Sequence, residues 1–434
     1  MNKIHKAKQI FPGLMIQNPF EFPRQQEGDH QITEPEIMGF KASQRLLDPN
    51  HHPSSSYNAG FSKAAAGSLN KNSMSTRRPL LFTASYDETI RMWDVVDQRQ
   101  LESIAIKDTQ TNSLSISPDG QQLAAGCYQT LRLFDCCHLG NQPLQVFNVH
   151  DRNVTTAGFS HDGKWIFTGS EDQTAKVWDL RSNTLVCQRI LQLNSTVNSI
   201  ALHPKSQVEL IVADSAGGIF LWDIRSNRDD SLQTELSYTE FVTNLDIDKY
   251  GKNVAAITNK GNCFVYSTQS ESMLGPDSNQ LYSETELNPE TFGKAPSPIH
   301  HQNENRPKPI IFQPHKQYGL KCKFLPNGTG FVTTAGDDVP KLWDISSKDE
   351  NNGIKLKQTF HGEQKKGKKS HDSDNNNVNM KWIWDIAFTN DSTKLFCGGS
   401  DNLCRMFDVS SGQLLRRYQG HSKGITAIAF WEPS

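Results

Sequence analysis

The chain has 434 residues, of which 35% are hydrophobic and 21% charged, and its formal net charge is -2. A chain of this length forms two or three ordinary domains or one large all-β domain. The nearly neutral charge excludes the strong basic excess typical of a nucleic-acid-binding protein, and no apolar run is long enough for membrane insertion.

The first segment, residues 1–78, is rich in proline, serine and asparagine and has no sustained apolar pattern. Its beginning lacks the continuous apolar stretch of a signal peptide. We therefore expect a cytoplasmic protein with a flexible, disordered N-terminal extension, which contains at most a short helix near residues 35–48.

A short motif recurs along the rest of the chain and centres on an aromatic residue. Its copies read RMWD, RLFD, KVWD, FLWD, FVYS, KLWD and RMFD. The aromatic positions are Trp93, Phe134, Trp178, Trp222, Tyr266, Trp343 and Phe407. These positions are 41, 44, 44, 44, 77 and 64 residues apart, and we number the repeats 1 to 7 in this order.

Two of the intervals are long because each contains a low-complexity insert. Residues 268–308 carry proline, serine and asparagine, and residues 347–379 include the run HGEQKKGKKSHDSDNNN. Such segments cannot bury enough apolar surface to fold, so we expect two disordered loop inserts. Counting each of the two long intervals as one ordinary 44-residue repeat gives a mean repeat of about 43.5 residues, close to the roughly 40–45 residues of a WD-type blade.

Each repeat contains four short segments with strand character. In repeat 3, these β-branched or aromatic runs between turn residues are 154–160, 165–170, 174–180 and 185–190. Residues 80–94 begin at a second strand, and residues 420–430 form a first strand with none after it. The sequence therefore predicts an all-β, seven-bladed WD40 β-propeller over residues 79–430, closed by the C-terminal strand.

A histidine, a threonine, an aspartate and a tryptophan recur with the same spacing. The sets are His150, Thr168, Asp172 and Trp178; His315, Thr333, Asp337 and Trp343; and His421, brought by ring closure to Thr83, Asp87 and Trp93. One copy would suggest a hydrolase, but three copies indicate a structural relay buried inside each blade. Repeats 2, 4 and 5 have Tyr128, Ala216 and Lys260 at the aspartate position, and repeat 7 keeps Asp401 without the threonine and tryptophan. We expect those blades to depend on apolar packing.

No pattern for catalysis or cofactor binding is present. The chain has no GxxxxGK[ST] loop, no GxGxxG after a strand, no HExxH and no GxSxG. Its eight cysteines include no CxxC pair, so we expect reduced thiols and no metal site. We therefore expect a protein without catalytic activity or cofactor, whose loops present side chains to protein partners.

Partner contacts are expected at large aromatic residues near the loop tips. The best candidates are Trp382 and Trp384, which strand alternation places on the same side, where an indole can serve a core or an interface. Further candidates lie at or beside the turns of repeats 1, 2, 3 and 7: Tyr86, Tyr128, Gln129, Glu171 and Asn402.

Several stretches carry more detail than a generic repeat requires. They are YQ at 128–129, LRS and CQRI within 180–190, and W-x-W at 382–384. With the strands around them, they resemble the small seven-bladed WD-repeat subunit of the TOR kinase complexes, the G-protein-β-like protein. The resemblance covers about residues 79–430 outside the two inserts.

The resemblance implies a non-catalytic scaffold in nutrient and growth signalling. Such a subunit binds the C-lobe of the TOR catalytic domain, stabilises the active kinase and helps to shape access to its active-site cleft. It also implies contact with other subunits of TOR complexes, in the cytoplasm and, through the complex, at the periphery of endomembranes. The N-terminal extension and the inserts depart from the family pattern, so no family role is assigned to them.

The alternative is a different WD-repeat adaptor, such as a G-protein β-like subunit or a ubiquitin-ligase substrate receptor. A G-protein β subunit needs an N-terminal helix with apolar heptads for its γ partner. Residues 1–78 carry scattered prolines in place of such heptads.

Overall fold

The computed structural model describes residues 78–433 apart from 108, 138–139, 141, 182–184, 207, 226–227, 233–235, 237–238, 268–308, 346–352 and 363–379. The expected N-terminal extension lies outside the described residues except for its last residue, and the expected insert 268–308 lies wholly outside them. Residues 353–362 of the second expected insert are described.

The described residues form 27 β-strands and no helix. The first sheet contains β1 (Leu80–Ser85), β2 (Thr89–Asp94), β3 (Arg99–Ala105) and the C-terminal β27 (Ile425–Trp431). A seven-stranded sheet contains β4 (Ser113–Ile116), β5 (Gln122–Gly126), β6 (Tyr128–Asp135), β7 (Gln145–Phe159), β8 (Trp165–Ser170), β9 (Thr174–Asp179) and β10 (Val186–Gln192).

Four further sheets have four strands each. The next two contain β11 (Val197–Leu202), β12 (Glu209–Asp214), β13 (Ile219–Asp223) and β14 (Arg228–Leu232), then β15 (Val242–Ile247), β16 (Asn253–Thr258), β17 (Cys263–Ser267) and β18 (Ile310–Phe312). The last two contain β19 (Gly319–Phe324), β20 (Gly330–Ala335), β21 (Lys341–Asp344) and β22 (Lys355–Thr359), then β23 (Ile383–Phe388), β24 (Lys394–Gly399), β25 (Leu403–Asp408) and β26 (Leu414–Gln419). The predicted all-β fold is confirmed, and every strand pair is antiparallel.

The seven-stranded sheet combines repeats 2 and 3 because β7 serves both. Its residues 145–148 pair with β6, and its residues 154–159 pair with β8. The first half of β7 is therefore the outer strand of repeat 2, and the second half is the innermost strand of repeat 3. Counted in this way, the 27 strands form seven groups of four.

The innermost strands of these groups contact one another in a cycle. The order of contact is β4, β7, β11, β15, β19, β23, β27 and again β4. Within the first sheet, β27 pairs with β1, so that Leu81 faces Phe430 and Thr83 faces Ile428. This is the strand pairing that the predicted closure by the C-terminal strand requires.

A left-handed turn residue repeats with the period of the aromatic positions. These residues have φ values of 59° to 93° and are Glu88, Gln129, Gln173, Gly217, Gly261, Asp338 and Asn402. Each stands five residues before the aromatic position of its repeat. A left-handed residue at this position is therefore common to all seven repeats, whether or not the aspartate beside it is present.

The strand pattern of the sequence follows burial. In β9, for example, Ala175 and Val177 are buried on one side, and half-buried Lys176 alternates with them. The apolar clusters then lie between neighbouring sheets, as where Phe82 and Ile90 of repeat 1 pack with Leu123 and Phe134 of repeat 2. Each sheet buries both faces, which is how the relays come to lie inside the fold.

Part of the second expected insert is a strand. Residues 355–359 form β22 and pair with β21, which makes β22 the outer strand of repeat 6. The expectation of an insert beginning at 347 included this strand because β22 is short and polar, with the sequence KLKQT. An outer strand has one edge in solvent, so it needs few apolar residues.

Candidate interaction surface

Repeat 3 contains a chain of hydrogen bonds that runs from the apolar core to a turn. Trp178 Nε1 donates to Thr168 Oγ1 at 2.9 Å, and Thr168 Oγ1 lies 2.7 Å from His150 Nε2. His150 Nδ1 lies 2.8 Å from Asp172 Oδ2. Since each polar side chain has a partner, the cost of burying the four groups is offset.

Repeat 6 contains the same chain of hydrogen bonds. Trp343 Nε1 donates to Thr333 Oγ1 at 2.9 Å, and His315 Nε2 lies 2.8 Å from this hydroxyl. His315 Nδ1 lies 2.8 Å from Asp337 Oδ2. The same four residue types at the same spacing therefore make the same contacts in repeats 3 and 6.

Repeat 1 builds its chain from both ends of the sequence. Trp93 Nε1 donates to Thr83 Oγ1 at 2.9 Å, and His421 Nε2 lies 2.8 Å from that oxygen. His421 Nδ1 lies 3.0 Å from Asp87 Oδ2. The histidine is 338 residues from the threonine that it contacts, so this relay connects β1 to the chain segment before β27.

The relays fit a neutral imidazole and a charged aspartate. Burial lowers the pKa of His150 and His421 below the ordinary value of 6.5. A neutral ring protonated on Nδ1 donates to the aspartate and accepts the threonine hydroxyl at Nε2. Burial opposes ionisation of Asp87, but hydrogen bonds from Thr89 and the Ser422 backbone lower its pKa to about 2. Both ring nitrogens are thus engaged within the blade, which fits packing rather than proton transfer.

Five aromatic side chains from repeats 5, 6, 7 and 1 form a second feature, a continuous row of rings. Successive ring centroids from Phe241 to Tyr318, Trp382, Trp384 and Tyr86 are 6.3, 6.0, 5.5 and 6.3 Å apart. Tyr318 and Trp382 are stacked with an angle of 14° between their planes. All five residues are half-buried, and we call them the aromatic row.

The aromatic row lies at the ends of the innermost strands, beside the turns. Phe241, Tyr318 and Trp382 directly precede β15, β19 and β23. The carbonyls of Tyr318 and Trp382 accept the backbone N–H of Gly336 and Ser400, which belong to the turns of repeats 6 and 7. Gly336 also lets the indole lie close, since a Cβ there would be 3.1 Å from Trp382 Nε1.

Two polar atoms of the aromatic row have unused hydrogen-bonding capacity. Tyr318 Oη and Trp384 Nε1 are buried, and neither has a hydrogen-bond partner within the part of the chain that the structure describes. Burial raises the pKa of Tyr86 and of Tyr318, so both hydroxyls stay protonated. Aromatic rings with a polar end are enriched at protein interfaces, because a partner covers the ring and satisfies the polar atom.

The sequence singled out only part of the aromatic row. The rings of Trp382 and Trp384 contact each other, and Tyr86 contacts Trp384. Sequence reasoning missed Phe241 and Tyr318. A signal exists, because both stand 25 residues before the aromatic position of their repeat, as Trp382 does.

The other candidates lie at turns outside the row. Tyr128 is 51% exposed. Gln129 and Asn402 each donate a side-chain amide to a backbone carbonyl, 22 and 20 residues away respectively, and Asn153 donates to Glu171. These three hydrogen bonds hold the turns in place, and a role of the turn residues in partner binding stays a prediction.

Comparison with known proteins identifies the family. Residues 65–94, 106–135, 141–179 and 376–408 match the family model described as WD domain, G-beta repeat. The chain is similar to "Target of rapamycin complex subunit LST8" of Bos taurus, at 33% identity, and of Mus musculus, at 32%. Each match spans 351 residues, which are 81% of this chain and 94% of the relative. The chain belongs to the LST8 family of WD-repeat proteins.

The LST8 family extends to insects. "Protein LST8 homolog" of Drosophila pseudoobscura pseudoobscura is 31% identical over 352 residues, which are 81% of this chain and 95% of the relative. The resemblance recognised in the sequence is thereby confirmed. In this LST8-family chain, none of the described residues belongs to a helix long and apolar enough to cross a membrane.

Proposed function

We propose that this LST8-family protein is a non-catalytic subunit of a TOR complex and binds the catalytic domain of the TOR kinase. The names of the Bos taurus and Mus musculus relatives, both target of rapamycin complex subunits, support this assignment. The matches cover almost the whole length of both relatives, so the assignment concerns the entire repeat region rather than one shared motif.

The aromatic row is the proposed contact surface for the C-lobe of the kinase catalytic domain. The observation that carries this proposal is the continuous contact of five half-buried rings across four repeats. The few residues that supply most of the binding free energy of protein interfaces are enriched in tryptophan, tyrosine and arginine.

The relays support the surface mechanically. The relay of repeat 6 fixes its turn against the blade, and this turn holds the carbonyl of Tyr318 through the N–H of Gly336. A surface that is already ordered loses little conformational entropy on binding. Since it binds the folded kinase domain and not the unfolded one, the subunit stabilises the active kinase and helps to shape access to its cleft.

The repeat region at 79–430 acts as a scaffold without catalysis, in the cytoplasm and, through the complex, at endomembranes. The histidine–threonine–aspartate sets support a structural role, because three copies lie in three different repeats with both imidazole nitrogens engaged. Residues 1–78 are proposed to be an extension outside this scaffold.

Co-purification tests the proposed function. Tagged wild-type protein is recovered from cell extract beside Trp382→Ala, Trp384→Ala and the control Tyr250→Ala, whose ring is 46% exposed outside the row. We expect the wild type and the control to recover the TOR kinase, and at least one row variant to bind it about 30-fold more weakly and so to recover less, as loss of a hot spot of about 2 kcal/mol requires. Circular dichroism verifies that each variant is folded.

Two results would contradict the proposal. Full recovery of the kinase by both folded row variants would exclude the aromatic row as the contact surface. Failure of the wild type to recover any TOR kinase, with a different partner in its place, would favour another WD-repeat adaptor.

A further inference from the structure

A basic residue stands two positions before the aromatic residue in five of the seven repeats. These basic residues are Arg91, Arg132, Lys176, Lys341 and Arg405. In repeats 6 and 7 the cation reaches the turn aspartate four residues earlier, with 3.3 Å between Lys341 Nζ and Asp337 Oδ2 and 2.5 Å between Arg405 Nη2 and Asp401 Oδ2. In repeats 1 and 3 it donates to a glutamine side chain and to a backbone carbonyl.

Repeat 2 keeps the cation but has lost the carboxylate. Tyr128 replaces the aspartate, and Thr130 Oγ1 is buried without a hydrogen-bond partner among the described residues. Arg132 Nε is likewise unpaired, as are Arg91 Nε and Arg405 Nε, but those two guanidinium groups are paired through an Nη atom. Repeats 4 and 5 also lack the aspartate, but they have Phe220 and Phe264 at the basic position. Where the carboxylate is lost, the cation is therefore retained in repeat 2 alone.

Arg132 lines a groove between repeats 1 and 2. The groove has a volume of about 420 Å³ and is lined by residues 103–107, Arg132, Phe134 and the loop residues 142–143. None of the described lining residues is acidic, and Lys107 contributes a second positive charge. The groove therefore favours a ligand with a negative charge, and a guanidinium suits a carboxylate in particular because it can form two parallel hydrogen bonds.

The walls of the groove fit an extended chain. Strand β3 forms one wall and pairs only with β2 among the described strands, so the backbone of its other edge is available to a further strand. Val146, the cross-strand neighbour of Arg132, is 51% exposed, and Leu144 is 58% exposed. Apolar side chains of a bound segment can cover these two residues while an acidic side chain reaches Arg132.

We propose that this groove binds an extended acidic segment of a partner protein, whose carboxylate pairs with Arg132 in place of the missing turn aspartate. The site is separate from the aromatic row and does not depend on kinase binding. In repeats 6 and 7 the turn aspartate of the chain pairs with this cation, whereas in repeat 2 the cation pairs with the partner's carboxylate.

Fluorescence anisotropy with the purified full chain tests the proposal. The probe is a fluorescein-labelled peptide, Gly-Ser-Val-Glu-Val-Glu-Val-Ser-Gly, and its reference is the same peptide with glutamine in place of both glutamates. We expect the wild type to bind the acidic peptide about tenfold more tightly than the reference, as one charge-assisted pair requires. Arg132→Gln should remove this difference, whereas the matched control Arg91→Gln should keep it.

A second variant tests whether Arg132 is available to a ligand because the turn aspartate is missing. Tyr128→Asp restores the turn carboxylate, so Arg132 should pair within the chain and the preference for the acidic peptide should disappear. Thermal unfolding completes the test, because Arg405→Gln breaks a buried ion pair and should lower Tm, while Arg132→Gln should not.

Each contrary result overturns the proposal. The first is that the wild type shows no preference for the acidic peptide, and the second is that the preference survives Arg132→Gln. The third is that Arg132→Gln lowers Tm as much as Arg405→Gln does. Peptide binding that emerges only after removal of residues 1–77 would assign the groove to the chain's own N-terminal segment instead of a partner.

Discussion

At the scale of residues, the relays show how polar side chains become part of a core. In repeat 3 the indole N–H, the hydroxyl and the imidazole are each buried, and each has a partner in the next group. The energetic value of such a chain is the penalty avoided, because a buried polar group without a partner costs about 1–3 kcal/mol. The relay also fixes the position of the turn aspartate relative to the core tryptophan.

A double-mutant cycle tests this coupling in repeat 3. Thr168→Val removes the hydroxyl between the indole and the imidazole and should lower the free energy of unfolding by about 1–3 kcal/mol. Trp178→Phe removes the donor at the other end of the same hydrogen bond. In urea unfolding, the double variant should lose less than the two single losses combined, and strict additivity would show that the residues do not act as a unit.

The buried histidines make stability depend on pH. Because burial lowers the pKa of His150 and His421 in the folded state, the unfolded chain binds more protons below about pH 6.5. Their contribution to stability is present above pH 6.5 and is lost as the pH falls. Asp87, with a pKa of about 2 against an ordinary 3.8, adds a further loss below about pH 4.

Urea unfolding between pH 8 and pH 5 measures this dependence. The free energy of unfolding should decline from pH 7 to pH 5, and His421→Gln should make the decline shallower because one titrating group is removed. His161→Gln, at an exposed turn, is the matched control and should leave the slope unchanged. A stability that stays constant or rises as the pH falls would contradict neutral, buried histidines.

The relay residues could be predicted from the sequence because their spacing repeats three times. The aromatic row could be predicted only in part. Its contacts join Phe241, Tyr318 and Trp382, which are 77 and 64 residues apart, and strand alternation within one repeat says nothing of neighbours in the next. The position of Arg132 in a groove, with its Nε unpaired, could not be predicted from the sequence, because both features depend on the three-dimensional arrangement of repeats 1 and 2.

At the scale of elements, side chains of the innermost strands connect neighbouring sheets. Asp385 in β23 accepts the backbone N–H of Ile428 in β27 at 2.7 Å, and its other oxygen lies 3.1 Å from Lys321 Nζ in β19. In the same way Asp246 in β15 accepts the N–H of Phe324 in β19 at 2.7 Å. The Asp385 carboxylate alone thus connects three innermost strands, β19, β23 and the C-terminal β27.

Asp385→Ala tests the connection between these strands. Removal of the carboxylate leaves Lys321 without its nearest anion and the N–H of Ile428 without an acceptor, so the free energy of unfolding should fall by about 3 kcal/mol. Asp385→Asn keeps the acceptor and should lose less. The control Asp97→Ala, in an exposed ion pair, should change it by less than about 1 kcal/mol in the same urea titration. Equal losses for Asp385→Ala and Asp97→Ala would contradict the account.

Strands whose apolar residues alternate could be predicted to within one or two residues. Residues 165–170 coincide with β8, and 174–180 exceed β9 by one residue. The outer strands are harder to predict from the sequence. For example, β22 has the polar sequence KLKQT, and its position was assigned to an insert. A buried strand has an apolar pattern from which it can be predicted, and the outer strands are the least buried.

At the scale of the whole repeat region, the row and the relays have different origins. Each relay belongs to one repeat, whereas the aromatic row exists only because β15, β19, β23 and β27 contact one another in order. The row is therefore a property of the assembled repeats. Any change that separates these strands should disperse the row, even when every aromatic residue is retained.

The central claim is that the TOR kinase covers the aromatic row. Hydroxyl-radical footprinting of the purified protein, with and without the purified TOR catalytic domain, measures this directly, because oxidation of an aromatic ring falls when a partner covers it. We predict that the kinase domain protects Trp382 and Tyr318 and leaves the exposed ring of Tyr250 as reactive as in the free protein. Unchanged oxidation of Trp382 and Tyr318 in a saturated complex would contradict the account.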